Sequence, residues 1–295
     1  RLRSALLASA FGLSVLAAGP AGAIVPNDNL LGLSPDGSVD ETEVRDSGVT
    51  GVGVIYFESE TSGSICTTSL INPRTAILAA HCVNQVPDEN WGVTHSAAVS
   101  FLDNALPGVR TWGESRVSRP DLFTYQVADV AFDPRSLALA EDDAGYKQGD
   151  VALVALDTPA INVPTWKLLF SPLEGPTDAV FTGYGNTGSG TDGAGRKEEG
   201  LWRRTVTNSV DVLASPLDIA QAVYLLSGQL IPDTYDSFTA DVYVYDFDNP
   251  SGERIGFDGA PYANLGGEAT PREGSVAPGD SGGPLIVPGL GDGKV

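Results

Sequence analysis

From residue 51 onward the chain alternates short apolar runs with polar breaks marked by glycine and proline. "GVGVIYF" (51–57) has the length and composition of a strand, and "DVALVAL" (150–156) alternates as a half-buried strand does. "SLINPRTAILAAHCV" contains two apolar runs joined by Asn72-Pro73, a dipeptide that favours a turn. "DAVFTGYG" (178–185) and "ADVYVYDFD" (240–248) read as further strands. One helix is predicted, "SPLDIAQAVYLLSG", with Ser215 as cap, Pro216 in the first position and Gly228 at the end. "TPAINVPTWKLLFSP" (158–172) carries three prolines and reads as a linker between two halves. Residues 24–50 are polar, acidic and turn-rich, as in an N-terminal extension or pro-segment. No internal repeat is visible.

Composition sharpens this picture. With 35 glycines, 20 prolines and short turn-bounded runs, an all-β design is favoured over a helical bundle. At 42% apolar, 8% aromatic and 19% charged residues, the 295-residue chain is that of a folded protein with a real core. The net charge of −21 leaves no basic stripe to neutralise phosphates and argues against nucleic-acid binding. It suits a soluble extracellular surface instead.

Residues 1–23 have the pattern of a secretion signal. Arg1 and Arg3 precede a mostly apolar stretch, and Ala21-Gly22-Ala23 forms an A-x-A cleavage site, so the mature chain is expected to start at Ile24. The apolar stretch is too short for a membrane span and is closed by Pro20. The chain contains no methionine, so the whole gene product is expected to begin before Arg1. The two cysteines, Cys66 and Cys82, pair most simply as a disulfide in an oxidising compartment. The alternative, a metal site using Cys66, His81, Cys82 and His95, fits no usual zinc spacing.

"GYGNTG" matches the G-x-G-x-x-G spacing of dinucleotide sites, but a loop rather than a helix is expected after it, so the match is discounted. The acidic stretch "YDFDNPSGE" does not match an EF-hand. No cofactor is called for.

Three positions form a chemical constellation: His81 in "AAHC", Asp150 in "GDVALV" and Ser281 in "GDSGGP". A serine hydroxyl becomes a nucleophile when a base takes its proton, and an imidazole titrates in the right range. A carboxylate then fixes the imidazole tautomer. Glycines around Ser281 allow the N–H groups of Gly279 and Ser281 to converge on a developing oxyanion. The chain order His, Asp, Ser differs from that of subtilisin-type enzymes and α/β-hydrolases, and there is no G-x-S-x-G elbow.

On these residues the chain resembles the chymotrypsin/trypsin family of serine endopeptidases. "SLINPRTAILAAHC", "GDVALV", "FTGYG" and "GDSGGP" carry the resemblance. It implies an all-β fold of two antiparallel six-stranded β-barrels with the triad between them. The first barrel would span 51–165 and the second 166–295. It also implies a Cys66–Cys82 disulfide closing the histidine loop and a polypeptide substrate. Asp280 would pair with a free N-terminal amine, and signal cleavage would supply one at Ile24. Ser275 stands at the position of the specificity-pocket base; a serine there leans toward uncharged or aromatic side chains rather than Arg or Lys. Family members continue well past the serine, so the expectation is a fragment with an incomplete second barrel, nearly inactive alone. "SLINPRTAILAAHCVN", "NALPG", "FDPRS" and "ATPREGSVAPGDSGGPL" are similar to protease passengers of bacterial autotransporters, which implies a C-terminal outer-membrane barrel as partner. A second reading, a surface adhesion or binding passenger keeping the fold without turnover, draws on the long loops and the missing activation motif.

Overall fold

The run "GVGVIYF" is nearly continuous in apolar residues because the strand it forms is covered on both faces. In the computed structural model, which describes residues 24–26, 44–45, 48–59, 62–86, 90–137, 149–189, 193–196, 200–215, 241–245 and 270–290, Ile55 and Phe57 point into one core. Val52 and Val54 on the opposite face belong to another.

Strands follow the chain as β1 (Val25–Pro26), β2 (Val52–Glu58), β3 (Gly63–Asn72), β4 (Thr75–Leu78) and β5 (Ser96–Ser100). Helix α1 (Leu106–Ser115) comes next, then β6 (Thr124–Phe132), β7 (Ala152–Leu156), β8 (Thr177–Gly183), β9 (Thr187–Ser189) and β10 (Gly193–Arg196). The last are β11 (Arg204–Val210), β12 (Val212–Ala214), β13 (Val242–Val244), β14 (Gly274–Ser275) and β15 (Leu285–Ile286).

The first half closes into a six-stranded barrel in the order β2-β3-β4-β7-β6-β5, each neighbour antiparallel. Closure leaves no unpaired strand edge. Asn72-Pro73 makes the predicted turn between β3 and β4, with the Asn72 side chain accepting from the Arg74 N–H at 2.9 Å. Leu70, Val99, Val154 and Leu156 fill the interior, and a Cys66–Cys82 disulfide ties β3 to the segment after β4.

The second half is an antiparallel three-stranded sheet, β11-β8-β15, flanked by the pairs β1–β14, β9–β10 and β12–β13. Its core gathers Ile24, Ala179, Phe181, Val206 and Val210. Among the described residues it is an open sheet; the second barrel implied by the resemblance was expected to be incomplete. Ile24 and Val44 of the N-terminal segment are fully buried and pack into this core.

Residues 157–176 contain neither helix nor strand, as their prolines suggest. The segment after "GYG" is a short hairpin, β9–β10, rather than the plain loop expected. The helix predicted at 215–228 lies outside the described residues beyond Ser215, and the strand expected at 240–248 is confined to Val242–Val244 among them. Helix α1 escaped sequence reasoning because Gly108 and Gly113 are poor helix formers, although Pro107 suits its first turn. It forms because Val109 and Trp112, three apart on one face, are buried.

A buried polar junction joins the halves. Arg203 is 2% exposed; its Nη1 donates to Val52 O, Phe101 O and Tyr184 Oη, each at 3.3 Å, and its Nη2 pairs with Asp103. Tyr184 Oη donates to Leu102 O at 2.7 Å, and burial pushes the phenol's pKa upward, which keeps it a donor. Removing the guanidinium strands buried carbonyls. Arg203→Ala is expected to lower unfolding stability by roughly 2–4 kcal/mol in urea titration; a loss below about 1 kcal/mol would contradict this role.

Candidate active site

The pairing of β4 with β7 places the first two residues of the constellation. Leu78 stands opposite Ala152 in antiparallel register, so the chain leaving β4 and the chain entering β7 emerge side by side. His81 lies on a short 3-10 turn, Ala80–Cys82, three residues past Leu78, and Asp150 two residues before Ala152. The disulfide of Cys82 to Cys66 fastens this turn to β3.

Asp150 holds His81 twice. Its Oδ1 accepts the His81 backbone N–H at 2.7 Å, and its Oδ2 lies 2.7 Å from His81 Nδ1. With a carboxylate facing it, Nδ1 is the protonated nitrogen, which leaves Nε2 with a free lone pair to act as a base. Both side chains are partly open to solvent, at 33% and 27%.

The loop around Ser281 packs onto the same strands. Thr67 N donates to Ser281 O at 2.9 Å, and Thr67 Oγ1 donates to Gly279 O at 2.9 Å. Gly282 has φ +81°, and a Cβ there would stand 2.6 Å from Ala79 N and Thr67 O. Only glycine allows this approach, which brings the serine loop to the backbone two residues before His81. Neither Ser281 Oγ nor His81 Nε2 makes a hydrogen bond among the described residues. The structure thus joins His81 to Asp150 and lays the serine loop beside them without a Ser–His bond.

Peptide planes fix the two candidate oxyanion donors. Pro278 O accepts from Asn186 N at 3.2 Å and Asp280 O from Gly283 N at 2.7 Å. In a trans peptide the N–H points opposite its carbonyl, so the Gly279 and Ser281 N–H groups are turned away from these acceptors. Neither has an acceptor among the described residues, whereas the Asp280 N–H between them is bonded to Ala277 O at 2.9 Å.

Asp280 is 5% exposed and anchors the loop from below. Its Oδ2 accepts from Ile24 N at 2.9 Å and Ala277 N at 3.1 Å, and its Oδ1 from Gly185 N at 3.0 Å. A Cβ on Gly183 would lie 1.9 Å from Asp280 Oδ1, which explains the first glycine of "FTGYG". Burial raises the Asp280 pKa from 3.8 to about 6, against the lowering pull of these N–H donors and of the Arg204 charge.

Ser275 sits in β14, paired with Val25 of β1, its Oγ 3.1 Å from Tyr245 Oη. His95 packs edge-on against Trp91 and is not among the residues whose ligand atoms cluster with Cys66 and Cys82. Ligand atoms of Cys66, His81 and Cys82 lie within 4.8 Å of one another, but both sulfurs are joined in the disulfide. A cavity of about 460 Å³ opens between the barrel and the sheet beside Asp150, lined by Leu78, Trp166, Leu168, Gly282 and Leu285 among others; neither His81 nor Ser281 borders it. Sequence reasoning missed Thr67, Gly185 and Asn186 as loop anchors. The signal for Thr67 was a hydroxyl run, Thr67-Thr68-Ser69, set between the apolar pairs Ile65-Cys66 and Leu70-Ile71 of β3; all three residues are buried.

The native Asp280 carboxyl holds its proton more tightly than an unfolded one, about 6 against 3.8. Its stabilising contribution is therefore full at low pH and fades as pH rises through that window. In the chain that keeps the peptide bond before Ile24, the stability margin over its Asp280→Asn variant is expected to be larger at pH 4 than at pH 7 in denaturant titrations. An equal margin at both would refute it.

No protein-family model matches the chain, and no curated protein does. Among solved structures it is similar to neuropsin, a serine protease expressed in the limbic system of mouse brain, at 16% identity over 82% of this chain and 78% of that one, with a TM-score of 0.43. A likeness at that level speaks to neither activity nor substrate.

Proposed function

We propose that the chain is a serine endopeptidase that cleaves polypeptides through an acyl-enzyme. His81 Nε2 takes the Ser281 proton, Ser281 Oγ attacks the scissile carbonyl, and Asp150 stabilises the imidazolium. The Gly279 and Ser281 N–H groups receive the oxyanion. His81 then protonates the leaving amine, and water, activated by the same base, releases the acid and restores Ser281. The observation that carries this reading is the two-point grip of Asp150 on His81 beside a serine loop whose Gly279 and Ser281 N–H groups have no acceptor among the described residues. A location outside the cytoplasm is part of this proposal, supported by the signal-like pattern of residues 1–23 and by the Cys66–Cys82 disulfide. Passage through a C-terminal outer-membrane barrel remains the proposed export context.

The competing reading, a binding passenger without turnover, is favoured by one observation: Ser281 Oγ is not bonded to His81. Apo sites often show such long geometry and tighten with substrate, so endopeptidase is retained.

A fluorophosphonate should add once per chain of the secreted full-length product, and not to Ser281→Ala. Asp150→Asn should slow labelling by on the order of a thousandfold or more. Stoichiometric labelling of Ser281→Ala, or full-rate labelling of Asp150→Asn, would rule the triad out.

The Ile24–Asp280 contact is proposed as the activating pair, with cleavage after Ala23 turning a peptide N–H into an ammonium. An amine that gains a carboxylate partner stabilises the fold below its unfolded pKa of about 7.8 and loses that effect at higher pH. A chain beginning at Ile24 should thus be about 1–3 kcal/mol more stable at pH 7 than one with an added N-terminal Ala. The gap should close by about pH 10. Equal stability and equal activity of the two chains at pH 7 would sink the pairing.

A further inference from the structure

Thr67 occupies an unusual place. It is fully buried in β3, one residue after the disulfide-bonded Cys66, yet its N–H, carbonyl and hydroxyl each meet the serine loop. Its N–H binds Ser281 O, its carbonyl lies against Gly282, and its Oγ1 donates to Gly279 O at 2.9 Å. The same Oγ1 accepts from Tyr184 N at 3.1 Å, at the end of β8. A hydroxyl has one proton to give, so accepting from Tyr184 and donating to Gly279 fixes its direction.

The Gly279 carbonyl belongs to the peptide plane between Gly279 and Asp280. That plane is held at one end by Thr67 Oγ1 and at the other by the Asp280 N–H bond to Ala277 O. Gly279 has φ +97°, a conformation open to peptide rotation because glycine has no side chain to resist it. Loss of the Thr67 hydroxyl would leave the carbonyl without its partner and the plane held at one end only.

Resting on the endopeptidase reading, we propose that the Thr67 hydroxyl is a positioning group for the oxyanion donors, locking the Gly279–Asp280 peptide so that the Gly279 and Ser281 N–H groups face the reacting carbonyl. Thr67 touches no substrate atom. It acts through the loop, and it couples that loop to β8 through Tyr184.

Thr67→Val keeps the volume and removes the hydroxyl, whereas Thr67→Ser keeps the hydroxyl and removes the methyl. With a fluorophosphonate, Thr67→Val should lower the limiting rate of Ser281 phosphonylation by on the order of ten- to a hundredfold. The probe concentration for half-maximal rate should be unchanged, and Thr67→Ser should stay within about threefold of the native rate. Should Thr67→Val fail to fold by near-ultraviolet circular dichroism, Thr67→Ala takes its place. Equal rates in native and Val chains, or a Ser variant as slow as Val, would overturn the proposal. If the native chain takes no adduct, the endopeptidase reading fails, and hydrogen exchange of the peptide covering 277–283 decides the positioning role. Faster exchange in Val but not in Ser supports it, and unchanged exchange in Val refutes it.

Discussion

The arrangement turns on one buried carboxylate. Taking the Asp280 side chain out of water costs several kcal/mol unless hydrogen-bond donors replace its hydration. The donors here come from three places far apart in sequence: Ile24, Gly185 and Ala277. Satisfying that one group therefore fixes the N-terminal segment, the end of β8 and the serine loop in a single geometry. The residual penalty is visible in a pKa raised to about 6, since burial outweighs the donors.

Around that anchor the two halves divide the work. The closed barrel supplies rigidity, and the β4–β7 register sets His81 against Asp150 with little freedom left to either. The open sheet supplies the serine loop through β15 and the chain before it. Two junctions hold the halves in register: Arg203 and Tyr184 on one side of β2, and Thr67 on β3 against the loop. Groups meant to act together are held best by strands and by polar contacts that leave no atom unsatisfied.

Much of this was legible in the chain. The alternation of "DVALVAL", the Asn72-Pro73 turn and the glycine-rich setting of Ser281 each reflect local backbone demands, and local demands leave local signatures. The His, Asp, Ser order could be read because each residue sits in a short motif. What could not be read depended on long-range contact. Helix α1 exists because Val109 and Trp112 find a surface to cover, not because its residues favour a helix. Ile24 was singled out as the residue after the signal-like segment and, through a resemblance, as a partner of Asp280, but nothing in the acidic segment after it announced that Ile24 and Val44 would be fully buried. Thr67 looked like an ordinary strand residue, since a hydroxyl signals its partner only after the partner has been brought to it. The second half reads as strands in sequence, but whether strands close into a barrel depends on pairings that periodicity does not encode.

The central claim is that Ser281 becomes an acylated nucleophile. The most direct measurement is a pre-steady-state burst of the secreted full-length product with p-nitrophenyl acetate, followed by peptide mass mapping of the quenched protein. The account predicts a burst of about one equivalent of p-nitrophenol per folded chain and an acetyl group on Ser281. Linear release without a burst, with no acetyl on Ser281 after quenching during turnover, would contradict it.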